Sequence, residues 1–326
     1  MINKPAATLF GLLLCLQFAW ASDIEGVQPW LEKMHRAAHM LNYEGTFVYG
    51  QQDQLSSVRI IHSVSELGER ERLVSMDGTG REIFRDGDRV TCIYPDSQSV
   101  MVEKSRPRAS YPPTFPMKVG DLNKYYELSL AGKGKVAGEP AQKILIRPRD
   151  GFRYGHMIWV HEKTGLLLKT NLLDENNKPV EQFMFTQIIF LDEVPDEALK
   201  LNIDKDEFTW YEADNTPHAT EVVEDSPWQV TQLPAGFNRE MSRTYQVPTS
   251  DTPVEQRVYS DGLASVSVFV EQYKDDDSDY PMGGSHMGAV NVHGVDMNGY
   301  HVTVVGEVPQ ATVKMIGESV RHRESP

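Results

Sequence analysis

Cysteine is scarce: Cys15 and Cys92 are the two in 326 residues. Cys15 sits in a leader that export would remove. The mature chain would then hold Cys92 alone, which excludes an internal disulfide. Cys92 lies in the alternating run RVTCIYP, where a small buried apolar role outweighs that of a nucleophile. Long hydrophobic runs are also lacking. The single one, Leu9 to Trp20, is about twelve residues, short of the roughly 20 that span a bilayer. It follows Lys4 and ends at Ala19-Trp20-Ala21, the pattern of a cleaved secretory signal over residues 1–21. Leu14 stands before Cys15, where a lipoprotein signal wants a small residue. Positive charge is in deficit, with 32 Lys and Arg against 47 Asp and Glu and a net charge of −15. That excludes nucleic-acid binding by counterion release unless a strong basic patch exists, and it suits a basic partner. Missing too are G-x-S-x-G, a Walker loop, G-x-G-x-x-G, H-E-x-x-H and C-x-x-C. Nothing asks for an enzyme, a metal or a cofactor.

What is present reads as one helix and many strands. DIEGVQPWLEKMHRAAHMLNYEG puts Val27, Trp30, Leu31, Met34, Ala38 and Leu41 at helical spacing. Pro29 is tolerated in a first turn and places the start near Gln28. From there to about residue 205 short period-two runs alternate with turn signals such as Asp77-Gly78, Asp86-Gly87 and Lys163-Thr164-Gly165. This is the pattern of a meandering antiparallel sheet. GHMIWVH and FMFTQIIF are apolar on both faces. The sheet either curls around the helix or leaves an apolar cavity on its far side. The expected class is mainly β (α+β). A first domain spans 22–205, a charged, proline-punctuated linker 206–225, and a smaller domain of a few strands and a terminal helix 226–326.

Three constellations invite a functional reading. GGSHMGAVNVHGVDMNGYH gathers His286, His293 and His301 beside Asp296. A two-residue turn at Asn298-Gly299 would set His293 opposite Val304. A wider loop would pair His293 with His301 and Val292 with Val302, keeping one apolar and one polar face, and is the expected register. Two imidazoles are too few for zinc, so a solvated hairpin face outweighs a metal site. Arg106, Arg108, Arg147 and Arg149 form two Arg-Pro-Arg clusters in an acidic chain. Arginine forks of this kind suit phosphate or carboxylate, and local ion pairing is the plainer alternative. Phe47, Tyr49, Tyr94, Met157, Trp159, Phe183 and Phe185 are candidate liners of a lipid-sized cavity, against ordinary packing on the helix.

LEKMHRAAHMLNYEGTFVY, REIFRDGDRVTCIYPD, the run from Leu128 to Glu175, SPWQVTQLPAGF, TPVEQRVYSDGLASVSVFVE and VTVVGEVP together resemble the MucB/RseB family. The resemblance covers essentially all of the chain after the leader. It implies a first domain similar to the lipoprotein carriers LolA and LppX, an incomplete antiparallel barrel around a helix. It further implies a periplasmic regulator that binds the periplasmic part of a membrane anti-sigma factor of the MucA or RseA type. Binding would shield that partner from site-1 proteolysis, and lipopolysaccharide or a related lipid would relieve the protection. Arg257, Tyr259 and Leu263, near the Asp261-Gly262 turn, are candidate partner contacts. The competing reading is a periplasmic carrier of lipid or lipoprotein, against which the second domain argues.

Overall fold

The computed structural model describes residues 24–323, apart from 52–53, 67, 79, 105–112, 114, 116–121, 202, 213–225, 247–251 and 273–281. The expected signal, Arg106 and Arg108 lie outside the described residues.

Helix α1 (Ile24–Met40) starts one turn earlier than Pro29 suggests, with that proline inside it. Val27, Leu31, Met34 and Ala37 recur every three or four residues and are all buried. This is the apolar stripe that makes a surface helix dock.

Twelve strands form the first sheet. They are β1 (Asn42–Gln51), β2 (Gln54–Ser65), β3 (Gly68–Ser75), β4 (Glu82–Asp86), β5 (Arg89–Tyr94), β6 (Ser99–Lys104), β7 (Tyr126–Val136), β8 (Glu139–Pro148), β9 (Gly155–His161), β10 (Leu167–Leu173), β11 (Pro179–Leu191) and β12 (Thr209–Glu212). Their spatial order is β12-β6-β5-β4-β3-β2-β1-β11-β10-β9-β8-β7, so the sheet has two edges and does not close. All pairings are antiparallel except β12 on β6. Bulges at Thr46/Phe47 and Leu172/Leu173 add bend and twist. The result is the expected incomplete barrel around a helix.

The inner face of the sheet is covered by α1, and its outer face is covered over β2 and β4 to β6. Inside, α1 packs through Val27, Leu31 and Met34 on Leu128, Ile144, Ile146, Ile158 and Val160. Burial of each such side chain contributes about 1.5–3 kcal/mol. Outside, the chain that leaves β11 folds back over the sheet. Val194 and Leu199 cover Ile61, and Ile203, Phe208 and Trp210 cover Phe84, Ile93, Val100 and Val102.

The second unit holds β13 (Trp228–Val230), β14 (Asn238–Gln246), β15 (Pro253–Ser260), β16 (Ser265–Gln272), β17 (Gly283–Met287), β18 (Val290–Met297), β19 (Tyr300–Gly306), α2 (Gln310–Glu318) and β20 (Val320–His322). Six strands make a sheet in the order β14-β15-β16-β19-β18-β17, and β13 pairs with β20. Val266, Val268, Val270, Val302 and Val304 pack under Val313 and Ile316 of α2.

The histidine hairpin takes the tight register, not the wide one. Met297 pairs with Tyr300, Asp296 with His301, Val295 with Val302 and His293 with Val304. Asn298 and Gly299 carry φ of 51° and 81°, the double left-handed geometry of a two-residue hairpin turn. The expected register assumed one solvated face, and that premise fails. His293 is buried under α2 against Gly317, and His301 is buried on the other face with Nδ1 2.7 Å from Asp296 Oδ1. Turn chemistry, not face polarity, sets the pairing.

Candidate functional site

The two units meet through a buried ion pair. Arg153 follows β8 and has no exposed side-chain surface, and neither has Asp261 in the β15–β16 turn. Arg153 Nη1 donates to Asp261 Oδ2 at 2.8 Å, and Nη2 donates to the carbonyl of Ala235 at 2.7 Å. Tyr126 donates its hydroxyl to the same Oδ2 at 2.9 Å. Asp261 Oδ1 accepts the N–H groups of Leu263 and Ala264. The guanidinium also lies over the rings of Tyr125, Tyr126 and Phe237. Both Nη groups and both carboxylate oxygens thus find partners, as an ion pair out of water requires, while Nε has only the charge of Asp150 at 3.2 Å. Burial, and then Asp261, push the Tyr126 hydroxyl well above its usual range. Leu263, carried by the same turn, packs on the core beneath α1.

Further bonds cross the boundary. Asn291 Nδ2 donates to the Tyr154 hydroxyl at 3.0 Å, Thr312 Oγ1 to the Phe152 carbonyl at 2.6 Å, and Gln51 Nε2 to the Met287 carbonyl at 3.3 Å. Two openings flank them. A cleft of about 730 Å³ runs between Val48, Gly50, Leu55 and Met184 of the first sheet and His286 and Gly288 of the second. A smaller cavity of about 120 Å³ lies between Phe115, His156, Thr170, Leu172, Glu181 and Phe183 on one side and Leu263 and Glu307 on the other. Away from the junction, a concave cavity of about 290 Å³ is lined by Phe47, Tyr49, Val58, Leu73 and Ile83, with Arg81 exposed at its rim. Among the described residues no group of three His, Cys, Asp or Glu side chains is placed to hold a metal ion. No described helix is long and apolar enough to cross a membrane.

Two family models cover the chain between them: the MucB/RseB N-terminal domain over residues 26–203 and the MucB/RseB C-terminal domain over residues 222–321. The chain belongs to the MucB/RseB family. It is 30% identical over 325 residues to the sigma factor AlgU regulatory protein MucB of Pseudomonas aeruginosa, covering 96% of this chain and 95% of that protein. It is 28% identical over 295 residues to the sigma-E factor regulatory protein RseB of Escherichia coli K12, covering 89% of each. Its backbone matches a crystal structure of MucB in complex with MucA(peri) with a TM-score of 0.70 at 28% identity, over 92% of this chain and 100% of that one. A crystal structure of MucB matches with a TM-score of 0.62, also at 28% identity, over 91% and 98%.

Placed on this MucB/RseB scaffold, the residues singled out in the sequence divide. Phe47 and Tyr49 line the concave cavity, and Phe183 and Phe185 pack on Phe47 with ring centroids 4.9 and 6.0 Å away. Tyr94 stands beneath Arg81. Met157 and Trp159 point to the outer face, where the Lys169 ammonium sits 4.9 Å from the Trp159 ring. Neither lines a cavity with Phe47. Arg147 and Arg149 are exposed, and Arg149 Nε donates to the Asn123 carbonyl. Arg257 is buried, with Nε 2.7 Å from Glu255 Oε1. Tyr259 is buried in the second core. A partner could touch either only if the second domain opened. Arg153, the residue that binds the two units, carries no sequence signal that links it to Asp261, 108 positions away.

Proposed function

We propose that this chain is a non-enzymatic periplasmic regulator that binds the periplasmic region of a membrane anti-sigma factor, shields it from proteolysis and so restrains an envelope-stress sigma factor. One observation carries the reading. Both domains of the chain match, in order and over 92% of its length, MucB as seen in complex with MucA(peri). The 730 Å³ cleft fits a partner segment, since Leu55 and Met287 stand exposed beside it by 67% and 71%. Exposed apolar side chains at a junction are the ordinary mark of an interaction surface. Leu263 would answer to the partner indirectly, through the docking of the Asp261 turn. Titration of the purified chain with the periplasmic region of its anti-sigma factor should give a 1:1 complex. No association at micromolar concentration would sink this reading.

The concave cavity favours a second, lipid-sensing activity. Its aromatic and aliphatic lining offers acyl chains an apolar bed of ligand-site size. Arg81 at the rim offers a fork for phosphate, whereas Arg147, next to the inward-facing Ile146, stands on the outer face of β8. Lipid and partner would be reciprocally linked if both bias the same domain arrangement. A Leu73→Trp substitution should fill the cavity and abolish acyl-lipid binding while leaving partner affinity intact. A carrier, by contrast, must hand its cargo to an acceptor, which a transfer assay between labelled vesicles reads directly.

A further inference from the structure

The concave face of the first sheet does not end in apolar residues where the second domain meets it. Ile146, His156, Leu172 and Glu181 are direct cross-strand partners on β8, β9, β10 and β11. They therefore form one row along one face, and His156 and Glu181 lend it a polar character. One step inward, the next row brings Thr170 beside Ile158 and Phe183. Leu263 and Glu307 close the space from the second domain. The resulting 120 Å³ cavity mixes polar groups (His156, Thr170, Glu181, Glu307) with apolar ones on the same walls.

Two features show that this site is built for a guest. Glu181 and Glu307 line the same cavity from opposite sides of the domain boundary, and Glu181 helps to raise the Glu307 carboxyl. Two carboxylates that face one small cavity favour a shared proton or a cation between them. Among the described residues no lysine or arginine lines the cavity. Independently, Thr170 Oγ1 is buried without a hydrogen-bond partner in a residue 9% exposed, an arrangement that costs folding free energy unless a ligand answers it. The size is near that of a cavity of about 150 Å³ that admits benzene, so about five or six heavy atoms fit.

We propose that this interdomain cavity binds a primary ammonium on a short aliphatic stem, with Glu181 and Glu307 holding the charge, Thr170 orienting it, and Phe115, Phe183 and Leu263 covering the stem. The ammonium supplies three donors and no acceptor, which matches two carboxylates and a hydroxyl. Free amines and lysine side chains share this chemistry.

The charge state of the site sets its pH dependence. Burial of its carboxyl first, and then Glu181, push Glu307 up to about 8, while the residue as a whole is exposed to solvent, the side from which a ligand enters. His156, on β9, is held down to about 4 by burial and stays neutral. Asp174 adds negative charge nearby, Asp261 is neutralised by Arg153, and the Tyr154 hydroxyl stays protonated. An arriving ammonium must therefore displace the shared proton, and binding tightens as pH rises from 6 towards 8.

The test is calorimetric and NMR titration of the purified chain with n-butylamine, butan-1-ol, a capped lysine amide and calcium chloride. n-Butylamine should bind in the millimolar range, at least about tenfold tighter at pH 8 than at pH 6, with proton release, and butan-1-ol should not. Glu307→Gln and Glu181→Gln, each checked for an unchanged fold by its NMR spectrum, should weaken it by about tenfold or more. Thr170→Val should weaken it less. Capped lysine binding as well as butylamine identifies a polypeptide source, and butylamine alone a free amine; either supports the site. Equal binding of butanol, indifference to both Gln variants, or calcium binding in place of the amine overturns it.

Discussion

Asp261→Ala should loosen the two domains from each other. The carboxylate removed accepts four hydrogen bonds, from Arg153, Tyr126 and the N–H groups of Leu263 and Ala264. Arg153 then keeps the Ala235 carbonyl and Asp150, the latter 3.2 Å from Nε. Its Nη1 stays buried beneath three aromatic rings without an acceptor, and the half-buried Asp150 is left as the counter-charge of the guanidinium. Removal of one partner from a buried pair costs about 3–5 kcal/mol. Asp261→Asn retains an oxygen for the turn and should fall near the lower end, Ala near the upper. If the chain unfolds as one unit, the melting midpoint drops by about 6–20 °C. If the domains part first, scanning calorimetry resolves two transitions and small-angle scattering shows an enlarged radius before the first. A double-mutant cycle with Arg153→Ala should return a coupling of more than about 1 kcal/mol. An Asp261→Ala protein with one transition, a midpoint within 2 °C of the parent and an unchanged scattering profile would refute the claim that this pair locks the junction.

Three further outcomes follow from local geometry. Glu69 links His39 and His62 and has its carboxyl held down to about 2, chiefly by His62. A carboxyl depressed on folding contributes stability above its usual range that is lost as pH falls towards 2. Glu69→Gln should therefore flatten the fall in melting temperature between pH 4.5 and pH 2. His62, raised on folding by Glu69, contributes the opposite slope as pH rises above about 6.5. His293 is buried under α2 with Nδ1 unpartnered and its protonation disfavoured by burial. Its neutral form stabilises the fold above pH 6.5 and loses ground as pH falls, so His293→Phe should raise the melting point more at pH 5 than at pH 8. Gly165 has a φ of 87°, and a Cβ there would lie 2.8 Å from the Lys33 carbonyl oxygen. Gly165→Ala should cost at least about 1 kcal/mol in urea unfolding.

Periodicity alone was enough for α1, the meander and the small second domain, because each rests on local spacing of apolar residues. It failed where a position answers to something distant. The outer face of β4 to β6 is covered by Ile203, Phe208 and Trp210, a return path that no local pattern encodes. The Phe47 group was legible as an aromatic face, whereas Trp159 alternates onto the opposite side and needed only strict period-two bookkeeping to be set apart. The hairpin erred through weighing face polarity above Asn298-Gly299, the stronger short-range signal. Arg153 stood out only as one of several basic residues, and Glu181 and Glu307 did not stand out at all. Their meaning comes from meeting across a boundary 126 positions apart.

The order of strands in the large sheet also dictates how the chain can assemble. β2 to β6 and β7 to β11 are two meanders in which every hairpin joins neighbours in sequence. The single seam between them is β1 against β11, where Asn42 meets Leu191. Local hairpins close in microseconds, while a seam that spans nearly 150 residues waits on a large loop-closure entropy. The two halves can thus be half-built while the seam is open, β11 showing an edge rich in Phe and Ile and β1 one that carries Tyr43, Phe47 and Tyr49. Gly45 stands on that seam, where a Cβ would meet the Gln187 carbonyl and the Phe185 ring. A side chain there would act as a wedge on the last closing step, slowing folding and lengthening the life of the edge that invites aggregation.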